Sequence, residues 1–327
     1  MIIVTGGAGF IGSALVWRLN KEGHTDVLIV DDFGESSKWR NLLGLKFRDV
    51  WSIDMFRRAF LEGKDLGAEA IFHLGANSST LASNGDQIMD LNFRYTKELA
   101  EYALGRGIRF IYASSAATYG DGSLGFDDDH GLSFRLRPLN LYGYSKLLFD
   151  NWAIETGAID SIVGLKYFNV FGPNEYHKNE MKSVVNKAFE DIQNDGKMRL
   201  FKSNKPDMLD GDQKRDFVYV KDAVDMTMFF LDNNLGGLFN VGTGKARTFN
   251  DLVMNVFKSM DRETAIEYFD MPRNLSKQYQ DFTEANVTKI CKAGYSHAQC
   301  VNELEESVRE YVQAYLLPEK YLDFLAS

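Results

Sequence analysis

The chain has 327 residues, with 37 basic against 46 acidic side chains and a net charge of −9. That balance argues against non-specific binding to nucleic acid or to an anionic membrane surface, and no apolar run approaches the ~18 residues needed to span a bilayer. Cys291 and Cys300 lack metal-like spacing with histidines, and Met1 runs directly into an apolar strand with no room for a signal peptide, so a cytoplasmic, reducing setting is expected.

Ile2 to Val4 reads as a short buried strand, and Phe10 to Lys21 as a helix. Between them lies Gly6-Gly-Ala-Gly9-Phe10-Ile11-Gly12, whose glycines permit a tight turn and a close backbone approach. A helix opening from such a turn presents its N-terminus to a pyrophosphate. Val27 to Val30 is a second strand, and Asp31 follows it 19 residues after Gly12, where a ribose-binding acid belongs. The charges of Asp31 and Asp32 would repel the 2′-phosphate of NADP; Lys38 either neutralises it or is an ordinary surface lysine. Ala70 to His73 is a third strand, so Leu74-Gly75-Ala76-Asn77-Ser78 is expected to flank the adenosine or pyrophosphate. A helical pattern from about Met89 to Gly105 carries Asn92, either a cofactor contact or a hydrogen bond holding the later catalytic segment.

Phe110 to Ala113 is a fourth strand, ending at Ser114-Ser115. A hydroxyl at a strand's C-terminal end can bond a substrate oxygen as it becomes a carbonyl, or serve only as turn chemistry. Next comes Asn140-Leu-Tyr142-Gly-Tyr-Ser-Lys146-Leu-Leu-Phe-Asp150. Four residues apart on a helix, Tyr142 and Lys146 share a face. A neighbouring cation favours the phenolate, and bringing its pKa from about 10 to about 7 takes roughly 4 kcal/mol in a partly desolvated site. Alone, this spacing more often reflects a half-buried ring and a solvated charge. Ile162 to Tyr167 is a further strand, after which the pattern is less regular; Phe217 to Val220 and Leu238 to Val241 are expected to return to the main sheet.

Strands alternating with helices predict an α/β fold with a doubly wound parallel sheet of Rossmann type. Residues 1–168, with returning segments at about 217–241, are expected to form the dinucleotide-binding domain. Residues 169–216 and 242–327 are expected to form a smaller, interleaved substrate lobe.

Gly6-x-x-Gly9-x-x-Gly12, Ser115 and Tyr142-x-x-x-Lys146 together resemble the extended short-chain dehydrogenase/reductase superfamily. The resemblance implies that Ser115 and Tyr142 handle the reacting hydroxyl's proton, while Lys146 binds the nicotinamide ribose and lowers the phenol's pKa. Dehydratases of the superfamily carry an acidic pair just after the active-site hydroxyl residue. Here Ala116 and Ala117 stand there, which favours an epimerase or reductase.

A narrower match is Tyr167-Phe-Asn169-Val-Phe-Gly-Pro-Asn-Glu-Tyr-His177-Lys178-x-x-Met181, with Lys214-Arg-Asp-Phe-Val-Tyr219 and Tyr279-Gln-x-Phe-Thr283. These motifs are similar to the ADP-L-glycero-D-manno-heptose 6-epimerase family. That resemblance implies a cytoplasmic homo-oligomer acting on a nucleotide sugar for lipopolysaccharide heptose synthesis, by transient oxidation with bound NADP and hydride return to the opposite face. It makes Lys178 a second acid/base, and Lys178 and Val170 cofactor contacts. Arg215 becomes the grip on the nucleotide diphosphate, the alternative being an ion pair with Asp216 or Asp222. Asn169, Phe201, Lys202, Ser203, Asn204 and Tyr279 would line the substrate lobe, although Asn169, Phe201 and Tyr279 could equally be packing or loop hydrogen bonds. Glu180 and Lys187 take positions where the family has a serine and a histidine, which affects the sugar or nucleotide bound. Asp32 in place of asparagine and Ile53 near a usual lysine favour NAD relative to NADP. The alternatives are another nucleotide-sugar 4-epimerase or reductase, or a non-catalytic dinucleotide sensor; the intact Ser115, Tyr142 and Lys146 argue against the sensor.

Overall fold

A computed structural model describes residues 1–79, 84–272 and 279–325. Its strands, in chain order, are β1 (Ile2–Thr5), β2 (Val27–Val30), β3 (Asp49–Trp51), β4 (Ala70–His73), β5 (Arg109–Ser115), β6 (Val163–Tyr167), β7 (Asn169–Phe171), β8 (Met198–Phe201), β9 (Lys214–Tyr219), β10 (Gly237–Val241), β11 (Ala246–Thr248) and β12 (Ile266–Phe269). The helices that matter below are α1 (Phe10–Lys21), α2 (Ile53–Leu61), α3 (Gly85–Met89), α4 (Tyr95–Leu104), α5 (His130–Ser133) and α6 (Leu141–Glu155).

Seven parallel strands pair in the order β3-β2-β1-β4-β5-β6-β10. Strands β1, β2 and β4 are buried at every position, as their unbroken apolar runs require when helices cover both faces. Successive side chains point to opposite faces: Ile2 and Val4 join the apolar cluster containing α1, whereas Ile3 joins the one containing Leu99 of α4 and Phe149 of α6. Strand order reverses direction between β1 and β4. In open α/β sheets the ligand cleft forms at this reversal, beyond the strands' C-terminal ends.

Leu238–Val241 lies in β10, paired with β6. Phe217–Val220 departs from the expected return to the main sheet: most of it forms β9, which pairs with β7 and antiparallel with β11 in a separate three-stranded sheet. A short apolar run specifies a buried strand without specifying its sheet, and β10 already occupies the place beside β6. Strand β3 and helix α2 were not among the expected elements; α2 starts at the N-cap Ser52 and buries Phe56, Ala59 and Phe60 on one face. The helical pattern at Met89 begins earlier, at Gly85, and passes through a wide π-helical turn at Asp90–Arg94. No helix among the described residues is long and apolar enough to cross a membrane.

Candidate active site

The turn after β1 is shaped by close backbone contacts. Gly6 has φ +67°, and a Cβ there would stand 2.7 Å from the Gly75 Cα; a Cβ on Gly12 would stand 2.1 Å from the Gly6 carbonyl oxygen. Only glycine permits the two loops at the sheet's reversal to approach this closely. Asp31, at the end of β2, accepts a hydrogen bond from the Ala8 N–H at 2.9 Å and pairs with Lys38 Nζ at 2.6 Å. Asp32 accepts from the Ile53 N–H at 3.0 Å. Lys38 is therefore the ion-pair partner of Asp31.

A cleft of about 600 Å³ opens above these loops. Its floor is Gly6, Gly9, Phe10, Ile11 and Gly12; one end carries Asp31, Asp32 and Lys38, and Leu74 through Ser78 form a wall. Ser115, Tyr142, Lys146, Val170 and Lys178 border the same space. Asn92 does not border it. Fully buried, it accepts from the Asn77 N–H at 2.8 Å and donates to Ser145 Oγ at 3.0 Å. The side chain thereby ties the loop after β4 to α6.

Helix α6 starts at the N-cap Asn140, whose side chain accepts from the Gly143 N–H at 2.8 Å. Gly143 passes close to the strand-end turn, since a Cβ there would meet the Ala117 carbonyl oxygen at 2.6 Å. This packing sets Tyr142 beside Ser115, whose hydrogen bond favours the phenolate. The net direction nevertheless corrects the expectation of a depressed phenol. Burial is the largest influence and raises the Tyr142 pKa, with Asp150 adding to the rise. Lys146 is 2% exposed, and burial lowers its pKa to about 8 despite the Asp150 charge.

Lys178 belongs to the loop after β7. Its Nζ lies 5.2 Å from the centre of the Phe10 ring, and burial lowers its pKa against the opposing charge of Glu175. Glu175 is fully buried and gathers the loop, accepting from Ser183 Oγ at 2.7 Å, Tyr311 Oη at 3.0 Å and the Gly172 N–H at 3.3 Å. Asn179, next to Lys178, holds φ +46° without being glycine, a sparsely populated conformation of the kind found at functional loops. Asn41 and His177, like Glu175, were not among the expected site residues. Asn41 donates to the carbonyls of Ala8 and Asn174 at 3.0 Å and lies 3.2 Å from His177 Nδ1, joining the glycine turn to the Lys178 loop. His177 borders the cleft, and its pKa is lowered to about 4 by burial and by Lys178 and Lys38. Its place beside Lys178 was the available signal; Asn41 had none.

The other candidates gather in the lobe, outside the cleft's border. Arg215 is 6% exposed, stacks at 4.9 Å on the Tyr279 ring and 5.6 Å on Phe249, and donates to the Lys214 carbonyl at 2.9 Å. The expected alternative ion pairs do not form: Asp216 accepts from Thr243, Gly244 and Ala285, and Asp222 from Asn302. Phe201 packs edge-on to Tyr279 with ring centres 6.1 Å apart. Asn169, exposed at the start of β7, accepts from Thr283 Oγ1 at 3.5 Å and lies one residue before Val170 of the cleft. Lys202 pairs with Asp270 at 3.1 Å, the Ser203 N–H donates to Asp210 at 2.8 Å, and Asn204 is exposed. Lys187 Nζ donates to the Glu180 carbonyl at 2.6 Å, with the Glu180 carboxylate 4.0 Å away. These two side chains engage each other and do not border the cleft.

A Rossmann turn, a Ser/Tyr/Lys set and a lobe with a buried arginine define a nucleotide-dependent enzyme of the extended short-chain dehydrogenase/reductase type. The chain belongs to the NAD dependent epimerase/dehydratase family, whose model matches residues 2–242. It is 53% identical over 319 residues to the ADP-L-glycero-D-manno-heptose-6-epimerase of Nitratidesulfovibrio vulgaris (strain DP4), covering 97% of this chain and 98% of that one. It is 44% identical to the protein of the same name from Fusobacterium nucleatum subsp. nucleatum, covering 98% and 99%. Among solved structures, the Helicobacter pylori ADP-L-glycero-D-manno-heptose-6-epimerase aligns with a TM-score of 0.79 at 26% identity, covering 96% of this chain and 95% of that one. The Thermus thermophilus UDP-glucose 4-epimerase in complex with NAD aligns with a TM-score of 0.74 at 25% identity, covering 95% and 97%.

Proposed function

We propose that this protein inverts C6 of ADP-D-glycero-D-manno-heptose, giving the L-glycero epimer used in lipopolysaccharide core synthesis. The observation that carries the reading is that Tyr142 and Lys178, on different elements, both border one cleft. Inversion by oxidation and return requires proton transfer when the hydride leaves one face and again when it re-enters from the other.

The residues fit a dinucleotide: the glycine turn leaves room that any Cβ would fill, so it would admit the pyrophosphate, Asp31 and Asp32 would hold the adenosine ribose, and Lys146 would bind the nicotinamide ribose. Bound there, the oxidised nicotinamide supplies a hydride acceptor and a positive charge. Tyr142, held protonated by burial, loses its proton more readily beside that charge, and Ser115 orients the substrate oxygen. Lys178, with a lowered pKa, can exchange a proton from the second side. Arg215 offers a buried, bidentate cation to the ADP diphosphate, with Tyr279 and Phe201 packed beside it.

The resemblance supports NADP, with Lys38 moving to the 2′-phosphate. NAD is the second reading, favoured by the two carboxylates Asp31 and Asp32 and by the apolar Ile53. The mass of the nucleotide released from purified protein decides between them. Residues 1–168 with the returning segments at about 217–241, which carry β10 and the Val220–Phe229 helix packed on α1, serve as the cofactor domain, and residues 169–216 and 242–327 as the substrate lobe. By the same resemblance the enzyme acts in the cytoplasm, which fractionation of cells tests, and as a homo-oligomer, which sedimentation of the purified protein tests. For the activity itself, ADP-D-glycero-D-manno-heptose should be converted to its C6 epimer and UDP-sugars left unchanged. The reverse selectivity overturns the proposal.

A further inference from the structure

Behind the cleft lies a buried ion pair that the reaction does not use directly. Lys166 Nζ and Asp150 Oδ2 are 2.8 Å apart, with side chains 2% and 0% exposed. Asp150 stands one helical turn beyond Lys146 and two beyond Tyr142, so the three are in line along α6. Its carboxylate also accepts from Tyr112 Oη and Ser114 Oγ of β5, both at 2.8 Å. Lys166, on β6, donates in addition to Thr118 Oγ1 at 2.8 Å, and Thr118 donates to the Ser115 carbonyl at 2.7 Å. A continuous polar path therefore runs from the helix bearing Tyr142 and Lys146, through Asp150 and Lys166, to the turn bearing Ser115.

Stability is a poor reason for such a pair. Desolvating two ions costs several kcal/mol each, and an apolar pair of similar volume is often as stable or more so. The geometry points to a positioning role: we propose that Lys166 balances the charge of Asp150 behind α6 and locks that helix to the Ser115 turn, setting both the spacing and the field of the Ser115/Tyr142/Lys146 site. Asp150 is faced by Lys166, Lys146, Tyr142, Tyr112, Tyr119 and His130, and Lys289 approaches Lys166 from α5's side of the sheet edge. Among these, Lys166 is the cation in direct contact with the carboxylate. Without it, Asp150 acts in full on Tyr142 and Lys146, and its charge favours the protonated form of both.

The inference rests on the proposed role of Tyr142, but its test does not need the substrate. The nucleotide-loaded protein is labelled with 13C at the tyrosine Cζ, and the Tyr142 resonance is assigned with Tyr142→Phe. The Tyr142 titration, coupled to that of Lys146, is then followed by NMR beside the pH profile of kcat. Lys166→Met should move the Tyr142 titration and the rising limb of kcat upward by about one pH unit. Asp150→Asn should move both downward by a similar amount, and Lys166→Arg should leave them near the wild-type position. Unmoved titration in Asp150→Asn, or a downward shift in Lys166→Met, overturns the proposal, and the former serves alone if Lys166→Met does not fold. Failure of the wild type to turn over ADP-heptose would defeat the proposed substrate while leaving the Tyr142 titration readable.

Discussion

Arg215→Met should make the protein more stable and a worse binder. The guanidinium is 6% exposed and has no carboxylate within ion-pairing distance among the described residues; burial lowers its pKa, and Tyr279 and Asp281 offset this only in part. Burying a cation costs several kcal/mol after relaxation. One hydrogen bond from a charged donor returns about 1.5–3 kcal/mol, and two ring faces return about 1 kcal/mol each. The balance leaves Arg215 unfavourable by about 1–2 kcal/mol in the free protein. Methionine retains most of the volume and removes the charge, so thermal unfolding without nucleotide sugar should shift upward by ~3 °C. Calorimetric titration of the cofactor-loaded enzyme with ADP should show a loss of about 3 kcal/mol, or ~100-fold. A variant with a lower Tm and an ADP affinity within threefold of wild type would show that Arg215 is a structural cation, refuting the diphosphate role.

Tyr142→Phe and Lys178→Met should each lower turnover by ~100-fold or more, and the Lys178 variant should still purify with bound nucleotide; near-normal turnover would return Lys178 to an ordinary loop residue. Gly12→Ala should give protein lacking nucleotide, because its Cβ would meet the Gly6 carbonyl oxygen at 2.1 Å; recovery of a full complement of nucleotide refutes the close-approach argument. His73 is held neutral by burial, its pKa lowered to about 3 from an ordinary 6.5, so below pH 6.5 the unfolded chain takes up a proton that the folded one refuses. Stability should therefore fall as the pH drops from 6.5 toward 3, and His73→Asn should remove about 1.4 kcal/mol per pH unit of that slope in urea unfolding between pH 6 and 4; parallel curves for the two proteins would contradict it.

Elements whose burial forces an unbroken apolar run, such as β1, β2 and β4, were readable from composition alone, and α1 followed from its glycine turn. Strand β9 was readable as a strand but not as a member of a second sheet, because strand propensity carries no information about the neighbour. Tyr142, Lys146 and Ser115 were legible through spacing and order. The direction of the Tyr142 shift was not, since it depends on how deeply α6 packs and on a carboxylate four residues past Lys146. Asp150 could have been found by extending that spacing one more turn. Glu175 and Asn41 act through loop closure between distant segments, which no local pattern encodes. Glu180 and Lys187 drew notice as departures from a motif; in the fold they engage each other away from the cleft.

The most direct test of inversion by internal oxidation is incubation of the purified protein with ADP-D-glycero-D-manno-heptose in deuterated water, followed by NMR of the sugar. Hydride held on the bound nucleotide and returned to C6 predicts the inverted epimer with protium retained at that carbon. Inversion with solvent deuterium at C6 would contradict the account, since it requires a carbanion at that carbon in place of a hydride relay.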